Sequence, residues 1–190
     1  EVDGLACSFA AGAFYEAPSK DWRVGLSYQS RHNVAGGIKL GGQLSTDIGG
    51  PSSADVQLHE DLPDIVRLGV AYRARPNVEL RVFGSWERWS AFEQQCVTDK
   101  NAECDLLPNG GQPNGGKVLQ NVPREFHDGF EARVGASVWT SPGLELFSGL
   151  GVMSTAVPDR TLEASLPDFV GVTFSLGARG RVSDSLSIGG

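Results

Sequence analysis

The sequence predicts an all-β fold: an antiparallel, up-and-down transmembrane β-barrel, present here as an incomplete barrel of about eight strands across residues 1–190. Three observations carry that reading. Long stretches alternate with a period of two between an aliphatic face and a face of arginine, glutamate and glycine. The 190 residues include 25 glycines and one methionine, a composition that disfavours helices. Short turns also alternate with long polar connections along the chain, as they do in a series of paired antiparallel strands.

Taken in order, a first strand precedes the turn at residues 17–21, and the second sets Trp22, Val24, Leu26 and Tyr28 against Arg23, Gly25, Ser27 and Gln29. Val66, Leu68, Val70 and Tyr72 then oppose Arg67, Gly69, Ala71 and Arg73. After the turn at residues 75–77, Val78, Leu80, Val82, Gly84 and Trp86 oppose Glu79, Arg81, Phe83, Ser85 and Glu87. Phe130, Ala132, Val134, Ala136 and Val138 oppose Glu131, Arg133, Gly135 and Ser137. Leu144, Leu146, Leu150 and Val152 oppose Glu145, Phe147, Gly149 and Gly151, across a turn at residues 141–143. Val170, Val172, Phe174, Leu176 and Ala178 oppose Thr173, Ser175, Gly177, Arg179 and Arg181, and a turn at 182–185 leads into a last alternating run. Each apolar face has the length a tilted strand needs to cross a bilayer. Trp22, Tyr28, Tyr72 and Trp86 fall near the ends of those faces, where an aromatic girdle would sit.

A soluble sandwich with the aliphatic face as its core is the competing reading. Charge placement argues against it. The long connections at residues 35–61, 93–127 and 158–168 hold 5 basic and 12 acidic residues, whereas the rest of the chain holds 11 of each. Acid gathered in one set of loops suits an exposed rim, and balanced Arg and Glu on strands suits a polar lumen. Arg67, Arg73, Arg81, Arg133 and Arg179 are therefore expected to face the lumen, with arginine better tolerated at Ser137 than at Val70.

The segment LPDIVRLGVAYRARPNVELRVFGSWERWSAF, residues 62–92, resembles the outer-membrane long-chain fatty-acid and aromatic-hydrocarbon transporter family of the FadL type. That family repeats a proline-led strand with a Gly-x-Ala-Tyr core, a tight turn, and a strand ending in Trp-Ser and an aromatic. VPDRTLEASLPDFVGVTFSLGARGRVSDSLSI, residues 157–188, is similar to the family's penultimate region, and DWRVGLSYQS, from Asp21, also fits. The resemblance implies uptake of hydrophobic compounds such as long-chain fatty acids by facilitated diffusion through a barrel of roughly fourteen strands in the bacterial outer membrane. It places this chain from the sixth strand to most of the thirteenth, with an N-terminal hatch, the early strands and the closing strand outside it. Outer-membrane lipid, a hydrophobic small molecule and a monomeric barrel are the expected partners and state. No cofactor, metal or nucleic acid is expected, the chain being acidic with a pI near 4.9.

In that family a cation near the loop before the tenth strand helps hold the substrate carboxylate. NVPREFHD, from Asn121, offers Arg124 and His127 there, with Phe126 between them. The capture groove corresponds to residues 35–61, whose apolar content is Ile38, Leu40, Leu44, Ile48, Val56 and Leu58; packing within the loop is the alternative use of these residues. Cys96 and Cys104 are spaced poorly for zinc and read as a local disulfide, the alternative being two free thiols.

Other chemistries find little support. GGQPNGGKV, from Gly110, nearly spells a phosphate-binding loop, but Val118 replaces the Ser or Thr it needs and no helical pattern follows. A barrel enzyme of the phospholipase kind would need a Ser-His pair on one rim; His32, His59 and His127 lie at loops or strand ends without a convincing serine. Asp99, Glu103 and Asp105 read as a solvated charge cluster.

Overall fold

A computed structural model describes residues 7–32, 37–46, 52–107, 117–162 and 168–190. Ile48 and most of the phosphate-loop-like GGQPNGGKV lie outside them. Eight strands form one sheet: β1 (Ala10–Glu16), β2 (Trp22–Gln29), β5 (Ile65–Arg75), β6 (Val78–Glu87), β9 (Gly129–Ser141), β10 (Leu144–Met153), β11 (Gly171–Arg181) and β12 (Ser187–Gly189), paired in that order. Every pairing is antiparallel, and the order within the sheet follows the chain, so this is an open up-and-down arrangement. The fold class read from the alternation holds.

The connections at 35–61 and 93–127 depart from expectation. Both read as loops, yet each contributes a pair of strands: β3 (Ile38–Thr46) with β4 (Ser52–Glu60), and β7 (Gln94–Asp99) with β8 (Val118–Pro123). β4 pairs with β7, so the two excursions join into a second sheet in the order β3-β4-β7-β8. The physical reason is cross-strand. Leu40 lies opposite Leu58 and Leu58 opposite Val97, so apolar residues too sparse to mark strands singly line up once paired. Cys96 and Cys104 form a disulfide that pins the segment after β7 back over this sheet.

Register in the eight-stranded sheet fixes its faces. Val24, Val70, Val82, Val134, Leu150 and Phe174 form one continuous row across six strands. The neighbouring row on the opposite face runs Arg23, Ala71, Arg81, Gly135, Gly149 and Ser175. Burial is inverted relative to a water-soluble protein. Val134 is 53% exposed and Phe174 70%, whereas Glu79 is 1% and Ser137 0% exposed on the polar face. The buried hydrophobic residues all lie outside the wall strands, in the second sheet and the connections around it.

An apolar belt of this extent cannot face water without aggregation, and a membrane supplies the missing apolar surroundings. Rings sit near both edges of the belt. Trp22 and Tyr72 stack at 4.3 Å near the short-turn end, while Tyr28 and Trp86 lie near the other. Where side chains on the polar face are bulky, glycine opposite makes room. A Cβ added to Gly177 would come within 2.5 Å of the Phe147 ring, so Phe147 can lie across the wall only because that position is glycine.

Candidate functional site

The short turns all lie at one end of the large sheet, and the three long connections leave from the other. The strand ends therefore bring residues 87–92, 124–130, 153–157 and 168 together at the long-connection end. Phe92, Phe126 and Val157 form a small buried cluster with Trp89 packed against it, the Phe92 and Phe126 rings meeting edge to face at 5.1 Å. Beside this cluster is a cavity of about 390 Å³ whose lining includes Trp89, Phe126, Met153, Val157, Glu87, Glu131 and Asp168.

Hydrogen bonds hold its walls. Asp168 Oδ2 accepts the backbone N–H groups of Ala156 and Val157 at 2.5 and 2.9 Å and the Thr155 hydroxyl at 3.1 Å, which folds the 154–157 segment over the cavity. Asp128 accepts the Trp86 indole N–H at 2.9 Å and the Ser90 backbone N–H at 3.1 Å. Its hydrogen bonding to Ser90 holds the Asp128 carboxyl below the usual carboxylate range. The Trp89 indole N–H donates to Glu87 Oε2 at 2.9 Å, and Arg133 pairs with Glu131.

Of the residues named for cargo binding, only Phe126 lines this cavity. Arg124 is 6% exposed and donates to Gln95 Oε1 at 2.6 Å, so its guanidinium is turned into the second sheet. His127 is exposed, and its backbone N–H bonds to Ala156 O at 2.8 Å. Ile38, Leu40 and Leu44 share one face of β3 and are not in the cavity's lining. Trp89, Glu87, Met153 and Asp168 were not among the residues named for cargo binding, because nothing but topology places them side by side.

The five arginines named above all belong to the polar face by register. Glu79 accepts from Arg23, from Arg73 at 3.2 Å and from Arg81 at 2.8 Å. Arg81 reaches Glu145 at 3.7 Å, and Glu145 also takes Arg179, making one chain of charges drawn from five strands and passing over β9. Arg73 also lies 5.0 Å from the centroid of the Trp139 ring. Arg67 donates to Gln29 at 3.4 Å, and Arg133 pairs with Glu131.

Among the described residues no group of His, Cys, Asp and Glu is placed to hold a metal ion. A hydroxyl meets an imidazole at Thr98 and His59, 3.1 Å apart, but Thr98 is fully buried under the 100–104 segment, where no substrate reaches it. His59 lies in the second sheet, clear of the membrane-facing belt. Burial, and then the Lys39 ammonium, push its pKa below the ordinary histidine value. A base depressed in the folded state contributes stability that is whole above its unfolded pKa, near 6.5, and is lost as pH falls through that value. Amide protection at Thr98 and Ala102 should accordingly decline between about pH 7.5 and 5, a window set by that reference value. Hydrogen exchange on the full-length protein checks this, and His59→Gln should flatten the dependence. Glu103 and Asp55, held low by Lys39 and Lys100, titrate in a more acidic range.

Comparison with known proteins agrees with this architecture. A family model described as "Outer membrane protein transport protein (OMPP1/FadL/TodX)" matches residues 1–189. Among solved structures, the chain is similar to a Pseudomonas aeruginosa FadL homologue, with a TM-score of 0.76 and 17% identity over 96% of this chain and 41% of that one. The Ralstonia pickettii toluene transporter TbuX gives 0.64 and 16%, over 99% of this chain and 42% of that one. A TodX deltaS2S3 mutant, a monoaromatic hydrocarbon channel, gives 0.68 and 15%, over 95% and 42%. The chain thus spans about two fifths of the length of these structures. A comparison with curated protein sequences yields no match.

Proposed function

We propose, for a chain that belongs to the outer membrane protein transport protein family (OMPP1/FadL/TodX), that the full-length protein carries hydrophobic molecules across the bacterial outer membrane by facilitated diffusion. The single observation behind this is the inverted burial of the large sheet. Its apolar rows are exposed and its ionised residues are packed together, as in a wall with lipid on one side and a polar lumen on the other. Arg67, Arg73, Arg81, Arg133 and Arg179 line that lumen on this reading.

The cargo is apolar, and two classes suit such a passage: long-chain fatty acids and uncharged hydrocarbons of the kind named for the toluene transporter and the monoaromatic channel. No step needs catalysis, because diffusion down a gradient breaks no bond. Uptake of radiolabelled oleate and toluene by cells lacking their own transporters tests the proposal. Expression of the full-length protein should raise the initial uptake of at least one of them several-fold and saturably. Uptake equal to that of the empty vector for both, with the protein assembled in the membrane, would sink it.

A further inference from the structure

The cavity at the long-connection end carries a charge pattern that separates those two classes. Its walls are apolar, and the ionisable residues among its lining are Glu87, Glu131 and Asp168, with no Lys, Arg or His. Arg133 neutralises Glu131, but no cation lies within ion-pair distance of Glu87 or Asp168 among the described residues. Asp168 is tied to the 155–157 backbone, and the Glu87 carboxylate is fixed by the Trp89 indole, so both charges have set positions. Arg124, two residues from Phe126 in the chain, donates to Gln95 in the second sheet and is not in the cavity's lining. Like charges brought into an apolar pocket repel far more than they do in water.

We propose that this cavity is a charge filter: it admits uncharged apolar cargo and turns carboxylates away, with Glu87 as its specificity-determining residue. The inference rests on the transport reading above and narrows it to uncharged molecules at this site. A pocket of about 390 Å³ holds a ring or a short chain, and Trp89 and Phe126 offer it aromatic walls. An alcohol or hydrocarbon meets no repulsion there, whereas an ionised acid of the same length meets two fixed negative charges.

1-Octanol and octanoate, matched in length, test this at pH 8 by calorimetric titration of the full-length protein in lipid nanodiscs. Octanol should bind at least tenfold more tightly than octanoate. Because a carboxylate also loses more hydration on binding, the variants decide the cause. Glu87→Gln should narrow the ratio about threefold and Glu87→Lys at least tenfold, in each case through tighter binding of octanoate. Equal binding of the two probes, no binding of octanol, or a ratio unmoved by both variants would overturn the filter. Uptake measured in parallel keeps the readings apart: cells that still import toluene while the ratio stays fixed retain the transport reading and lose the filter.

Discussion

Replacing Val134 by arginine should cost the full-length protein about 2–4 kcal/mol of stability in the bilayer, the penalty for a cation on the lipid face near the midplane of a barrel. Val134 lies in the middle of β9, paired with Val82 on one side and Leu150 on the other, so its surroundings are apolar along the whole row. Arginine there has no acidic partner within that row, and its side chain must snorkel past several residues to reach an interface. The comparison position is Gly69, on the opposite face, where an added Cβ meets nothing within 4 Å. Gly69→Arg should cost far less, because the polar face is open to lumenal water there. Urea titration of refolded protein in thin bilayers measures both. Equal losses at the two positions would contradict the assignment of faces.

Glu79→Ala should be comparably damaging for the opposite reason. The Glu79 carboxylate is almost wholly buried and holds Arg23, Arg73 and Arg81, each from 38 to 47% exposed. Removing it leaves three guanidinium groups crowded together with one shared acid fewer. Losing one partner of a buried ion pair costs about 3–5 kcal/mol. Partial solvation of the arginines discounts that here to about 2–4 kcal/mol. Glu79→Gln keeps an acceptor without the charge and should fall between the wild type and alanine. Arg73→Ala, which removes one of the three cations on Glu79 and the contact over Trp139, should cost less than about 1 kcal/mol, because Glu79 keeps the other two. An unfolding midpoint in Glu79→Ala matching the wild type would mean that lumenal water, rather than this carboxylate, keeps the arginines apart.

The large sheet was legible in the sequence because a period-two alternation states register and face at once. Val66 to Tyr72 and Val78 to Trp86 pair as their apolar sides require, with a register shift only at Arg73 and Arg75 beside the turn. The second sheet was not legible. Its strands run through Gly41, Gly42, Gln43 and Gln57, which carry little β signal; their pairing emerges only when β4 meets β7, across an intervening hairpin. Side-chain chemistry also misled at Ser137. Its polarity suggests room for arginine on the lumenal face, yet it is 0% exposed, paired with Glu79 and Phe147, and a large residue there would overpack the charge network. At the cavity, the sequence supplied Phe126 but attached it to Arg124 and His127, its neighbours in the chain. Those two side chains go elsewhere, and the residues that do meet Phe126, namely Trp89, Phe92 and Val157, come from the connections that follow β6 and β10.

Depth and side can be read directly along one strand. Single spin labels at residues 132 to 136 and at 138 of β9, in the full-length protein reconstituted into liposomes, report collision with lipid-soluble oxygen and with a water-soluble nickel chelate. The expected result is an alternation with a period of two: labels at Ala132, Val134, Ala136 and Val138 favour oxygen, and labels at Arg133 and Gly135 do not. A strand whose even-numbered labels are shielded from oxygen, or one with no alternation, would contradict a wall with lipid on its aliphatic face.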